Sequence, residues 1–176
     1  MSTTSVVGEV ISFLAALGLG SALGQYLASS KDRRESRANV LSALAEVEAA
    51  RWAGGRRNVS LPDFQASMRK FQTAALIARL PRDLAWEYGV LAQAARWLSD
   101  DSLERTGDPE FGGGIDANFA EATREAARAV SEVAWAWSLL HRWRWRRSKN
   151  EISALLAKLD PEESNMLDRS RVHGSL

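Results

Sequence analysis

The chain has 176 residues, a formal net charge of +1 and no cysteine. That length allows one ordinary domain beside a membrane segment. The near-neutral charge excludes a global field built for nucleic acid, and the missing cysteines exclude a disulfide scaffold and fit a reducing cytoplasm.

Abundant alanine, four prolines and the absence of β-branched runs predict an all-α fold. The first element is the apolar stretch 6–28, VVGEVISFLAALGLGSALGQYLA, after a short tail over 1–5. A helix rising about 1.5 Å per residue crosses a hydrocarbon core of about 30 Å with roughly 20 residues, so the stretch predicts a transmembrane helix. Its one charge, Glu9, lies near the end, where a carboxylate can reach the headgroups. A buried helix of a soluble domain is the alternative. A signal peptide fits worse, because no Lys or Arg precedes the apolar run. Lys31, Arg33, Arg34 and Arg37 follow it, which places the N-terminus outside and the C-terminal domain in the cytoplasm of a single-pass protein in the cell membrane.

Gly8, Ser12, Ala16, Gly20, Gly24 and Ala28 repeat at i+4 and include a GxxxG. Small residues at that spacing let helix backbones approach closely in lipid, so the stripe predicts self-association into a homo-oligomer. Nothing breaks the helix between Tyr26 and Ala53, and Val40, Leu44 and Val47 mark its inner face, so it is expected to run over 29–53 to Gly54-Gly55. A glycine-rich membrane helix leading into KDRRESRANVLSALAEVEAARW resembles small single-pass proteins of actinobacteria and their phages. The resemblance covers the first third of the chain. It implies a membrane-tethered helical protein, with phage defence or superinfection exclusion as the cellular role, and carries no functional residues with it.

A second helix is expected over 61–80. Ser60 and Asp63 suit its N-cap and third position, and Phe64, Met68, Phe71, Ala75 and Ala78 form its stripe. A third is expected over 81–99, with Leu84, Tyr88, Leu91, Ala95 and Leu98 inward and Gly89 at a close helix crossing. DDSLERTGDPEFGGGI, 100–115, is expected as a loop; its glycines lack a P-loop pattern and its acids lack EF-hand spacing. A fourth helix, capped by Asp116, is expected over 117–159, completing an up-and-down cytoplasmic bundle of about four helices over 29–159. Residues 160–176 are expected as a disordered tail.

The fourth helix carries Arg142, Trp143, Arg144, Trp145, Arg146 and Arg147 in one run. Three uses compete: contact with lipid headgroups, contact with nucleic acid, or a basic helix end with its tryptophans in the core. Helix length favours the first. Roughly 25 to 30 residues of returning helix bring the run back to the level where the chain left the membrane. A membrane-interface set of Lys31, Arg33, Arg34 and 142–147 results, and no second basic face supports nucleic acid.

No HExxH, GxSxG or Glu-x-x-His occurs, so no catalytic residue, metal site or cofactor is assigned and no enzyme is expected. The expected function is a membrane-anchored, self-associating helical interaction protein at the inner leaflet. Its partners would be anionic lipid, its own copies and a protein the sequence does not identify. The alternative is a holin-like or toxin-like effector that forms oligomeric lesions.

Overall fold

A computed structural model describes residues 31–53, 59–106, 114–135 and 138–173, with the backbone alone for 138–142. The expected transmembrane stretch 6–28 and its small-residue stripe lie outside the described residues. Among those described, no helix is long and apolar enough to cross a membrane. The chain divides into a unit of residues 1–36 and a unit of residues 37–176. In the first, 31–36 is helical and Ser36 Oγ donates to the carbonyl of Asp32 at 2.8 Å. The second unit forms the bundle.

Six helices and no strand occur among the described residues: α1 (31–50, the first six residues counted with the first unit), α2 (Leu61–Ile77), α3 (Arg82–Thr106), α4 (Ala117–Trp135), α5 (Ser138–Leu156) and α6 (Pro161–His173). The fold is all-α. Val40, Ala43, Leu44, Val47 and Ala50 give α1 one buried face at helical spacing. Ser60 caps α2: its Oγ accepts from the N–H of Asp63 at 3.3 Å and donates to the Asp63 carboxylate at 2.6 Å. Phe64, Met68, Phe71 and Ala75 are the buried stripe of α2. A Cβ on Gly89 would lie 3.3 Å from Met68 Cε, which is the close α2–α3 crossing that this glycine permits.

Helix α3 is the centre. It packs against α2, α4 and α6, and it grips α1 through polar groups. Tyr88, fully buried edge-on to Phe71, donates to Glu48 Oε1 at 2.9 Å. Burial, then the charge of Glu48, pushes its phenol well above the ordinary range. Arg96 is 3 % exposed. Its Nη1 donates to the carbonyls of Ala50 and Trp52, each at 3.0 Å, and its Nε and Nη2 meet both Asp100 oxygens at 3.0 Å. Ser99 Oγ accepts from the N–H of Ala53 at 2.9 Å. These contacts end α1 at residue 50, three residues before the expected stop, because a side chain on α3 takes the last carbonyls.

The structure differs from expectation in three further places. Helix α3 runs to Thr106, through a run expected as loop. Arg96 with Asp100 and Arg105 with Asp101 are i,i+4 pairs that hold those turns. The single helix expected over 117–159 is two helices. Arg128 lies 3.6 Å from Glu151, whereas 23 residues of straight helix would separate them by about 35 Å. The expected tail is α6. Leu167 enters the core, and buried Ser170 donates to the carbonyl of Val90 at 3.1 Å.

Candidate functional site

Contacts along the helices fix which ends lie together. Glu48 meets Tyr88, Ala50 and Trp52 meet Arg96, and Ala53 meets Ser99, so α1 runs parallel to α3. The chain therefore enters this unit at residue 37 on the side where α3 begins. Helix α2 stops at Ile77 a short turn before α3 starts. Glu162 pairs with Arg105, and Glu163 accepts from the N–H of Asp116, so α4 and α6 start at the far end. Helix α4 then reaches the near end at Trp135, and α5 departs from it: the Trp145 indole donates to Asp83 in the first turn of α3.

That near end carries most of the exposed apolar surface. Five of the eight exposed large apolar side chains among the described residues lie there: Leu76 at 61 %, Ile77 at 67 %, Trp86 at 41 %, Trp135 at 58 % and Trp143 at 63 %. Each is within six residues of a helix end at this side, a layer about 8 Å deep. Arg79, Arg82, Arg144 and Arg146 surround it, and none pairs with another described residue. Three acids lie among them, and one, exposed Glu132 near the end of α4, stands 3.8 Å from Arg128. Asp83 is engaged by Trp145, and Glu87 is half-buried. The far end is the reverse, with Asp100, Asp101, Glu104, Asp116, Glu121, Asp160, Glu162 and Glu163 at the starts and stops of α3, α4 and α6. The bundle is basic and apolar at one end and acidic at the other.

The turn between α2 and α3 is tightly built. Leu80 N–H bonds to the carbonyl of Ala75 at 2.9 Å and Arg79 N–H to that of Leu76 at 3.1 Å, a Schellman pattern. Arg79 occupies the left-handed position usually given to glycine, at φ 56°. Beside it an apolar groove of about 520 Å³ opens between α2 and α3.

Of the expected interface residues, Lys31, Arg33 and Arg34 are exposed in the first unit, and the Arg142 side chain lies outside the described residues. Trp143, Arg146 and Arg147 are exposed and Arg144 is half-buried. Arg147 meets Glu151 at 3.3 Å. Trp145 corrects the expectation: at 5 % exposure it belongs to the core and cannot touch lipid. Gly8, Ser12, Ala16, Gly20, Gly24 and Ala28 lie outside the described residues. Leu76, Ile77, Trp135, Arg79 and Arg82 were not foreseen. Leu76 and Ile77 fall off the Phe64–Met68–Phe71–Ala75 stripe, and that mismatch was the available signal. Among the described residues no cluster of His, Cys, Asp or Glu could hold a metal ion. No protein-family model matches the chain, and neither a curated protein nor a solved structure matches it.

Proposed function

We propose that this chain is a single-pass, self-associating membrane anchor whose helical bundle rests its near end on the anionic inner leaflet and offers the rest of its surface to a protein partner. The observation that carries this is the meeting of exposed Leu76, Ile77, Trp86, Trp135 and Trp143 with arginines that pair with no described residue on one end, the end at which residue 37 enters. Tryptophan suits the headgroup layer, and a depth of about 8 Å matches what an interfacial element buries. The apolar stretch over 6–28 supplies the anchor. Moving a half-exposed Leu, Ile or Trp out of water is worth roughly 1 kcal/mol, and each arginine near an anionic surface adds about the same. A tethered domain starts at an effective concentration in the millimolar range, so a few such contacts orient it.

A chain shortened to residues 29–176 tests the docking separately from the anchor. It is expected to float with vesicles of phosphatidylglycerol and to stay behind with vesicles of phosphatidylcholine. Glu at Arg142, Arg144, Arg146 and Arg147 together should release it. A shortened chain that ignores both vesicles removes the inner-leaflet docking.

A further inference from the structure

The groove beside the α2–α3 turn has a composition that goes beyond surface contact. Ala75 and Leu76 of α2, Leu80 of the turn, and Ala85 and Trp86 of α3 make its apolar wall, and Gln72, Arg82 and Asp83 are its polar lining. The Asp83 carboxylate is already engaged by the Trp145 indole, whereas Arg82 has no partner among the described residues. Arg79 is exposed three residues before Arg82, with Pro81 between them. The indole leaves the Asp83 carboxylate charged, so Arg79 and Arg82 outweigh it by one positive charge at the rim, enough to favour an anion there over a largely apolar wall. A volume of about 520 Å³ lies within the range of small-molecule sites. An extended peptide would find one amide partner, Gln72, and leave its other backbone N–H and C=O groups unpaired against alanine and leucine. An amphiphile with an anionic head and an apolar tail meets both demands.

We propose that this groove holds one acyl chain of an anionic phospholipid, with the lipid phosphate against Arg79 and Arg82. It rests on the docking of the near end proposed above, with which the groove is continuous through Leu76 and Trp86. Docking would then be more than adhesion. A single captured lipid sets the bundle's depth and tilt at the leaflet and makes occupancy depend on the leaflet's content of anionic lipid.

The test uses the full chain reconstituted into vesicles in which either phosphatidylglycerol or phosphatidylcholine carries brominated acyl chains. Bromine quenches tryptophan by contact. The share of quenching due to Trp86 is read by difference with Trp86→Phe, and that due to Trp143 with Trp143→Phe. The expected result is that brominated phosphatidylglycerol quenches Trp86 at lower lipid fraction than brominated phosphatidylcholine, while inorganic phosphate does not relieve it. Arg82→Gln should shift the midpoint about fivefold, the value of one arginine at an anionic surface. Leu76→Asp, an exposed position that leaves the core intact, should remove the Trp86 component and keep that of Trp143. Quenching of Trp143 without Trp86 overturns the groove site and leaves the docking standing. Equal quenching of Trp86 by both lipids, unmoved by Arg82→Gln, also overturns it. If neither tryptophan is quenched, both the groove and the docking fall.

Discussion

Replacing Arg96 with methionine should unlatch α1 from the bundle. The side chain is 3 % exposed, and its Nη1 satisfies two carbonyls at the end of α1 at 3.0 Å each. Methionine keeps the packing of the stem and removes the donors. The buried carbonyl of Ala50 then loses its partner, at about 2 kcal/mol, and the part-buried carbonyl of Trp52 loses about 1. Asp100 is a third exposed, so the loss of its pair is discounted to at most about 1 kcal/mol. The sum is about 4 kcal/mol. With a urea slope of about 2 kcal/mol per molar, the unfolding midpoint should fall by about 2 M, followed by tryptophan fluorescence. Arg96→Lys should recover little, since a point ammonium cannot span two carbonyls and a carboxylate in one plane. Asp100→Asn should cost about 1 kcal/mol, because the carbonyl contacts survive. A loss under about 1 kcal/mol for Arg96→Met would show that water satisfies those carbonyls and that Arg96 does not terminate α1.

Three other outcomes are expected. Arg79→Gly relieves a left-handed residue and should raise stability by about 1 kcal/mol in the same urea titration, while weakening vesicle binding about fivefold by loss of a cation. Glu163, 6 % exposed with Oε2 unpartnered, has its carboxyl raised first by burial and then by the charges of Asp116 and Asp160. A raised carboxyl stabilises the fold while protonated, so its contribution is complete below the unfolded value of about 4.3 and is lost as pH rises through the folded value. Hydrogen exchange of the α6 amides should therefore speed up over that interval, and Glu163→Gln should flatten the change. Asp116 opposes this with the other sign. Burial raises its carboxyl, but the N–H groups of Asn118 and Phe119 bring it below the ordinary range, so its contribution is lost as pH falls. Finally, Gly20→Leu with Gly24→Leu should abolish crosslinking between copies in native membranes. Expression of the unaltered chain should leave the membrane potential intact; depolarisation that the double change abolishes would favour a lesion-forming protein instead.

The parts of the bundle legible in the sequence are those where one helix buries one face. Val40, Leu44 and Val47, and Phe64, Met68, Phe71 and Ala75, recur at helical spacing and are all buried, whereas Ala78, the last of the expected stripe, is the half-buried C-cap of α2. The parts that were not legible are set by partners distant in sequence. DDSLERT reads as loop by composition, yet Arg96–Asp100 and Arg105–Asp101 pairs, with Glu162 from α6, keep it helical. Helix α6 holds a single leucine in its 13 residues. It docks through Leu167, a hydroxyl bonded to Val90 and a buried carboxylate, none of which makes a hydrophobic stripe.

The break between α4 and α5 bears most on function. Trp135 to Ser138 holds neither glycine nor proline, so nothing local predicts it. Folding back puts Trp145 and Ile152 into the core and Glu151 beside Arg128, gains available only in the tertiary structure. The count of helix residues that carried 142–147 to the near end assumed one returning helix. In the structure α4 arrives after 19 residues, and the basic run belongs to the first turns of a departing helix. The run reaches the same end by a different route, and the route decides which tryptophan is available. On a departing α5 that packs against α4, positions 143 and 145 point to opposite sides, so Trp145 reaches Asp83 of α3 and Trp143 is left in the open. The surface at this end is then assembled from four helix termini, with Leu76, Ile77, Trp86 and Trp135 as contributors no single segment announces. That is why a search of the sequence for one amphipathic stretch finds only a fifth of it.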